Sequence, residues 1–129
     1  MRIAIYNLHN MCEHNTLFLS RARRYFELNS HHVIDDMTDE DMTDIIFLGG
    51  CAVTDAMRHR CEESIRSIMT RQEQAQVIVF GCLAAFPEGL LSGGEISGNR
   101  IHLIPFQKSR QMDDIIIARI PFDNVSVNH

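Results

Sequence analysis

The chain has 129 residues, enough for one domain with a hydrophobic core and too few for two. Hydrophobic residues make up 45% and charged residues 22%, which excludes the disordered and fibrous classes. The net charge of −5 comes without any block of Lys or Arg, which argues against direct nucleic-acid binding, since phosphate contacts need clustered cations.

Residues 2–6 read as a first strand, followed by a polar loop from Asn7 to Met11. A helix is expected from about Glu13 to Leu28. Phe18, Ala22, Tyr25 and Phe26 recur at helical spacing and would face a sheet. Arg21, Arg23, Arg24 and Glu27 would face water, the three arginines forming a small basic cluster on a solvated face. Asn29-Ser30 ends the helix, and His31-His32-Val33-Ile34 is a short second strand. Asp35 to Asp44 carries six acids in ten residues; Thr38 with Asp41 three positions on allows one capped helical turn.

Ile45 to Leu48 is an apolar run that leads into Gly49-Gly50-Cys51, the pattern of a buried strand whose exit is glycine-rich. The glycines let the chain turn sharply and let another group approach its backbone. Thr54 is a good N-cap for the next helix, with Asp55 in its first turn. Met57, Cys61, Ile65 and Ile68 form a buried stripe along it. Strand four is 77–80, leading to Gly81-Cys82. A short helix around Pro87 to Leu91 and turns at Ser92-Gly93-Gly94 and Ser97-Gly98-Asn99 follow. Strand five is Ile101 to Ile104, and a last helix runs from about Lys108 to Ala118. The stretch from Ile120 to His129 shows no helical stripe. Residues 1–118 are read as the α/β domain and 119–129 as a tail or the start of a linker.

Strands alternating with helices imply a parallel sheet with right-handed crossovers. Five units in this length suit a flavodoxin-like, doubly wound sheet of order 2-1-3-4-5, with ligands expected at its carboxyl edge. Cys12, Cys51 and Cys82 follow strands one, three and four, which that order makes neighbours. Parallel strands lie about 4.8 Å apart, so three loops at one edge can gather three thiolates around one small centre.

No apolar stretch reaches membrane-spanning length, and Met1-Arg2-Ile3-Ala4-Ile5 enters a strand without a signal peptide's apolar run. A cytoplasmic location is expected. Cysteines there bind metal, catalyse or pack more often than they form disulfides. Cys61 lies on the apolar stripe ten residues beyond Cys51, and the helical rise carries it ~15 Å from the helix start, outside disulfide range. It reads as a core cysteine acting as a small hydrophobe. The other three suit an iron–sulfur cluster or zinc. His9 and His14 flank Cys12 and are read as exposed loop histidines able to supply a nitrogen ligand. No glycine-rich fingerprint follows strand one, and there is no phosphate loop, G-x-S-x-G or H-E-x-x-H.

Cys12-Glu13-His14-Asn15, Cys51-Ala52-Val53-Thr54 and Gly81-Cys82-Leu83-Ala84 together resemble the three signatures of the N-terminal domain of radical-SAM methylthiotransferases. Those enzymes methylthiolate a tRNA adenosine or a ribosomal-protein aspartate. The first signature, Cys with Asn three residues on, is matched by Cys12 and Asn15. In the second, Gly49-Gly50 stands where the family usually has Asn-Thr. In the third, Gly-Cys-x-Ala-Gln, Ala85 stands in place of Gln. The resemblance spans about residues 1–118.

It implies that Cys12, Cys51 and Cys82 hold an auxiliary 4Fe–4S cluster whose fourth iron is open for a transferable sulfur; the polar loop from Asn7 to Asn15 also offers His9, Glu13 and His14 as side chains that could close that position. The resemblance also implies a radical-SAM domain or subunit as partner, with tRNA or protein substrate engaged through other domains. The radical-SAM motif C-x3-C-x2-C is missing from these 129 residues, so the chain is not expected to cleave S-adenosylmethionine on its own. The alternatives are a cluster-free α/β interaction module and a zinc-binding or thiol-sensing domain.

Overall fold

The computed structural model of the protein describes residues 1–8, 13–34, 42–50, 52, 54–85 and 100–125, with side chains in the first helix from residue 16 onward. Strands β1 (Arg2–Asn7), β2 (His32–Ile34), β3 (Ile45–Gly49), β4 (Gln76–Phe80) and β5 (Ile101–Ile104) form one sheet. Its order is β2-β1-β3-β4-β5 and every pairing is parallel, as the alternation of strands and helices requires. The fold class is therefore the flavodoxin-like α/β arrangement expected from the sequence.

The central strands are apolar on both faces because helices cover both. Ile45, Phe47, Ile78 and Phe80 point into one core layer, while Ile46, Leu48, Val77 and Val79 point into the other. Helix α1 (Glu13–Leu28) covers the first layer with Leu19, Ala22, Tyr25 and Phe26. Helix α2 (Asp55–Arg71) covers the second with Cys61, Ile65, Ile68 and Met69. Thr54 caps α2, its hydroxyl accepting from Met57 N at 3.1 Å, in the position its sequence suggests. Phe26, Phe47 and Phe80 stack through the first layer with ring centroids 5.5 Å apart at each step.

The carboxyl-terminal part departs from expectation. In place of one helix from Lys108 to Ala118 there is a 3-10 turn at Phe106–Lys108 and a six-residue helix α3 (Gln111–Ile116). Ile117 ends α3 by entering the left-handed region at φ 53°, and its N–H bonds Asp113 O. The chain then lies along α1, with Phe122 and Val125 buried in the first core layer.

Arg21 and Tyr25 of α1 and Asn29 just past its end, four residues apart in turn, receive that stretch. Arg21 donates to Val125 O and Phe122 O at 2.8 and 2.9 Å, with its guanidinium 4.2 Å from the centre of the Phe122 ring. Arg21 is thus half-buried and does not face water as its pattern suggests; the returning chain covers it. Asn29 accepts from the N–H groups of Arg119 and Ile120 and donates to Tyr25 O and Ile120 O. Tyr25 donates to Asp113 Oδ1, which also accepts from Phe122 N.

Among the described residues no helix is long and apolar enough to cross a membrane. The helix expected near Pro87 to Leu91 and the capped turn at Thr38 and Asp41 lie outside the described residues.

Candidate functional site

The strands that precede the three candidate cysteines end side by side. Asn7 of β1 pairs with Gly49 of β3, and Gly49 pairs with Phe80 of β4. Backbone bonds carry the alignment one step further: Leu8 N to Gly49 O at 2.8 Å, and Gly81 N to Ile104 O at 2.9 Å. In sequence, Cys51 is two residues past Gly49, Cys82 two past Phe80, and Cys12 five past Asn7.

Cys82 opens a 3-10 turn at Cys82–Ala85 and is exposed, whereas Leu83 beside it is buried. Gly81 makes this possible. Its φ of +93° turns the chain sharply, and a β-carbon there would lie 2.6 Å from Phe106 Cζ. A side chain would meet both the backbone preference and the aromatic ring. The turn thus sends Leu83 inward and presents Cys82 at the carboxyl edge, closed by the bond from Ala84 N to Gly81 O at 3.1 Å.

Gly50 gives the close approach expected of the glycine pair, and the approaching groups are Leu83 and Cys61. A β-carbon on Gly50 would lie 2.5 Å from Leu83 Cδ1 and 3.1 Å from Cys61 Sγ. The residue before Cys51 and the residue after Cys82 are therefore packed together. Cys61 is buried on the α2 stripe, as expected, with its sulfur under Gly50. Helical rise alone misses this proximity, because side chains on a helix lean back toward its N-terminus. On the same face, Tyr6, Leu8 and Ala52 pack against the α2-side core.

Cys12, Cys51 and His9 lie outside the described residues, as do the side chains of Glu13 and His14. Among the described residues no three His, Cys, Asp or Glu side chains gather into a metal-binding group. Of the three candidate ligands, then, only Cys82 is placed: exposed, on a tight turn, at the carboxyl edge. Its surroundings fit a thiolate ligand in accessibility and in the fixed backbone that carries it. The contact that sequence reasoning missed is Gly50 against Leu83; the glycine signalled an approach but not its partner.

No family model matches the chain, and no curated protein or solved structure is significantly similar to it.

Proposed function

We propose that the chain is an iron–sulfur-cluster-binding domain, similar to the N-terminal domain of radical-SAM methylthiotransferases, with Cys12, Cys51 and Cys82 as cluster ligands. The observation that carries this reading is the packing of Gly50 on Leu83 at level strand ends. The Leu83 side chain, next after Cys82, packs onto the backbone of Gly50, the residue before Cys51. When bound, a 4Fe–4S cluster with three protein thiolates supplies an iron position open to an exogenous sulfur ligand.

The chain's own part is to hold three thiolates on separate loops of one rigid edge. The Gly81 turn orients Cys82, and the Gly50–Leu83 contact fixes the exit of β3 against that of β4. Helix α2 begins after Cys51, and its N-terminal dipole favours an anionic group nearby. In this reading the domain carries or accepts sulfur within a larger radical-SAM system, whose other parts engage tRNA or protein.

Anaerobic reconstitution of the 129-residue chain with iron and sulfide tests it. Uptake of about four irons per chain with a broad visible absorption is the expected result. A colourless protein that takes up one zinc would point to a zinc site, and one that takes up neither would point to an interaction module.

A further inference from the structure

The segment after α3 is held by side chains that a second copy of this chain would present identically. Phe122 and Val125 are buried in the α1-side core, and the Phe122 ring meets the Tyr25 ring edge-on at 5.1 Å between centroids. Arg21 closes over them, donating to the carbonyls of Phe122 and Val125. Asn29 accepts from the N–H groups of Arg119 and Ile120 and donates to Ile120 O. Asp113 Oδ1 accepts from Phe122 N. None of these contacts requires residues 119–125 to belong to the same molecule as Arg21, Tyr25, Asn29 and Asp113.

The connection that returns the segment to its own molecule is short and strained. Only Ile117 and Ala118 lie between the end of α3 and Arg119. To turn the chain back, Ile117 takes φ 53° and ψ 61°, a left-handed conformation that its branched β-carbon disfavours. Extended backbone at Ile117 removes that strain, and it is the conformation that β-branched residues favour. The chain then runs straight on from α3 and carries residues 119–125 away from their own α1. Short strained hinges are where identical chains exchange a segment at little cost. The hinge also carries exposed apolar surface: Ile117 is 85% exposed, and Leu28, next to Asn29, is 39% exposed. In an exchanged pair both lie where the copies meet, so part of that surface leaves water.

We propose that the chain forms a twofold dimer in which residues 119–125 of each copy dock on α1 of the other. The contacts of the docked segment are the same in monomer and dimer, so they cancel. What remains is the lost proximity of a tethered segment against the relief of two hinges. A short tether keeps its segment at an effective concentration on the order of millimolar. Releasing a left-handed β-branched residue favours the dimer by about tenfold per hinge. Each hinge also gives up the bond from Ala118 N to Asp113 O at 2.9 Å, which offsets part of that gain. A dissociation constant of roughly 0.1 mM follows. Neither the cysteines nor any cluster enters this proposal.

Sedimentation equilibrium of the full chain under a thiol reductant, from about 5 μM to about 1 mM, reads the association. Monomer at the low end and mostly dimer at the high end is the expected result. An equimolar mixture of isotope-labelled and unlabelled chains, equilibrated at the high end, then identifies the interface. Isotope-filtered NOEs should connect the Phe122 ring of one copy to the Tyr25 ring of the other, a pair that meets within one chain in the monomer. Ile117→Gly removes the strain without touching a buried side chain, and should weaken the dimer by at least about tenfold. A chain still monomeric at about 1 mM would overturn the proposal. So would a dimer without the intermolecular Phe122–Tyr25 NOEs, or an Ile117→Gly chain that dimerises as tightly as the parent.

Discussion

Gly50 and Leu83 meet at the carboxyl edge so closely that a β-carbon on Gly50 would lie 2.5 Å from Leu83 Cδ1. The contact ties the exit of β3 to the turn that follows β4. Gly50→Ala should destabilise the protein by about 1–3 kcal/mol, the usual cost of overfilling a packed site. Leu83→Ala in the same chain should recover part of that loss, because it removes the atom that is struck. Urea unfolding of the two single variants and the double variant measures the coupling. Additive effects would mean that the contact is not what restricts position 50.

Tyr25 is fully buried and donates to Asp113 Oδ1 at 2.7 Å. Burial first, and then the hydrogen bond to Asp113, push its phenol well above the ordinary tyrosine range. The folded state therefore keeps the proton while the unfolded chain releases it above its ordinary value of 10.0. Stability from this group is complete below that pH and falls as pH rises past it, by up to ~1.4 kcal/mol per pH unit. Tyr25→Phe should cost about 1–3 kcal/mol at neutral pH, since it takes a donor from a carboxylate, and should flatten the alkaline decline. Thermal unfolding between pH 7 and pH 11 reads both effects.

Asn29 spends both ends of its amide on the segment after α3 and on α1 itself, in four hydrogen bonds of 2.8–3.0 Å. Asn29→Ala should destabilise by about 1–3 kcal/mol, because it leaves part-buried backbone N–H and carbonyl groups without their partner. Asn29→Asp should not restore stability, since a carboxylate accepts from Arg119 and Ile120 but cannot donate to Tyr25 O and Ile120 O. Hydrogen exchange at the Arg119 and Ile120 amides should rise in the Asn29→Ala variant, which alone removes their acceptor.

The sheet was legible because its signals are local. The apolar runs at Ile45–Leu48 and 77–80 can satisfy themselves only as buried strands, and Thr54 marks the start of α2 by its own hydroxyl. What surrounds the carboxyl-terminal segment was not legible, because its contacts run through backbone groups far apart in sequence. Nothing in the pattern of Arg21 or Asn29 announces a carbonyl or an amide about a hundred residues away. The last helix starts late because a 3-10 turn occupies Phe106–Lys108, and it stops short of Ala118 because Ile117 leaves the helical region, a choice that the residue type disfavours. At the edge, the sequence marked Cys82 and the glycines. The partners of the glycines, Leu83 and Cys61 for Gly50 and Phe106 for Gly81, lie on other segments than the glycine each one meets.

Ile117 is a β-branched residue in the left-handed conformation and is 85% exposed. Nothing buried holds it there, so the conformation is imposed by the cap and the following turn. Ile117→Gly should stabilise the protein by about 1 kcal/mol, since glycine enters this region without a β-carbon penalty. Ile117→Ala should gain less. Chemical denaturation midpoints rank the three proteins, and a Gly variant no more stable than the parent would contradict the strain assigned to this cap.

The most direct measurement is iron bound per chain after anaerobic reconstitution, compared across four single variants: Cys12→Ala, Cys51→Ala, Cys82→Ala and Cys61→Ala. Cys61 is the internal control, a buried thiol under Gly50 that the account assigns to packing. Its removal should cost about 1 kcal/mol of stability and leave iron content at the parental level. Each of the other three substitutions should lower iron content sharply, since each removes one of three protein ligands. Full iron loading in the Cys82→Ala protein, or loss of iron in the Cys61→Ala protein while it stays folded, would contradict the assignment of the carboxyl edge as the cluster site.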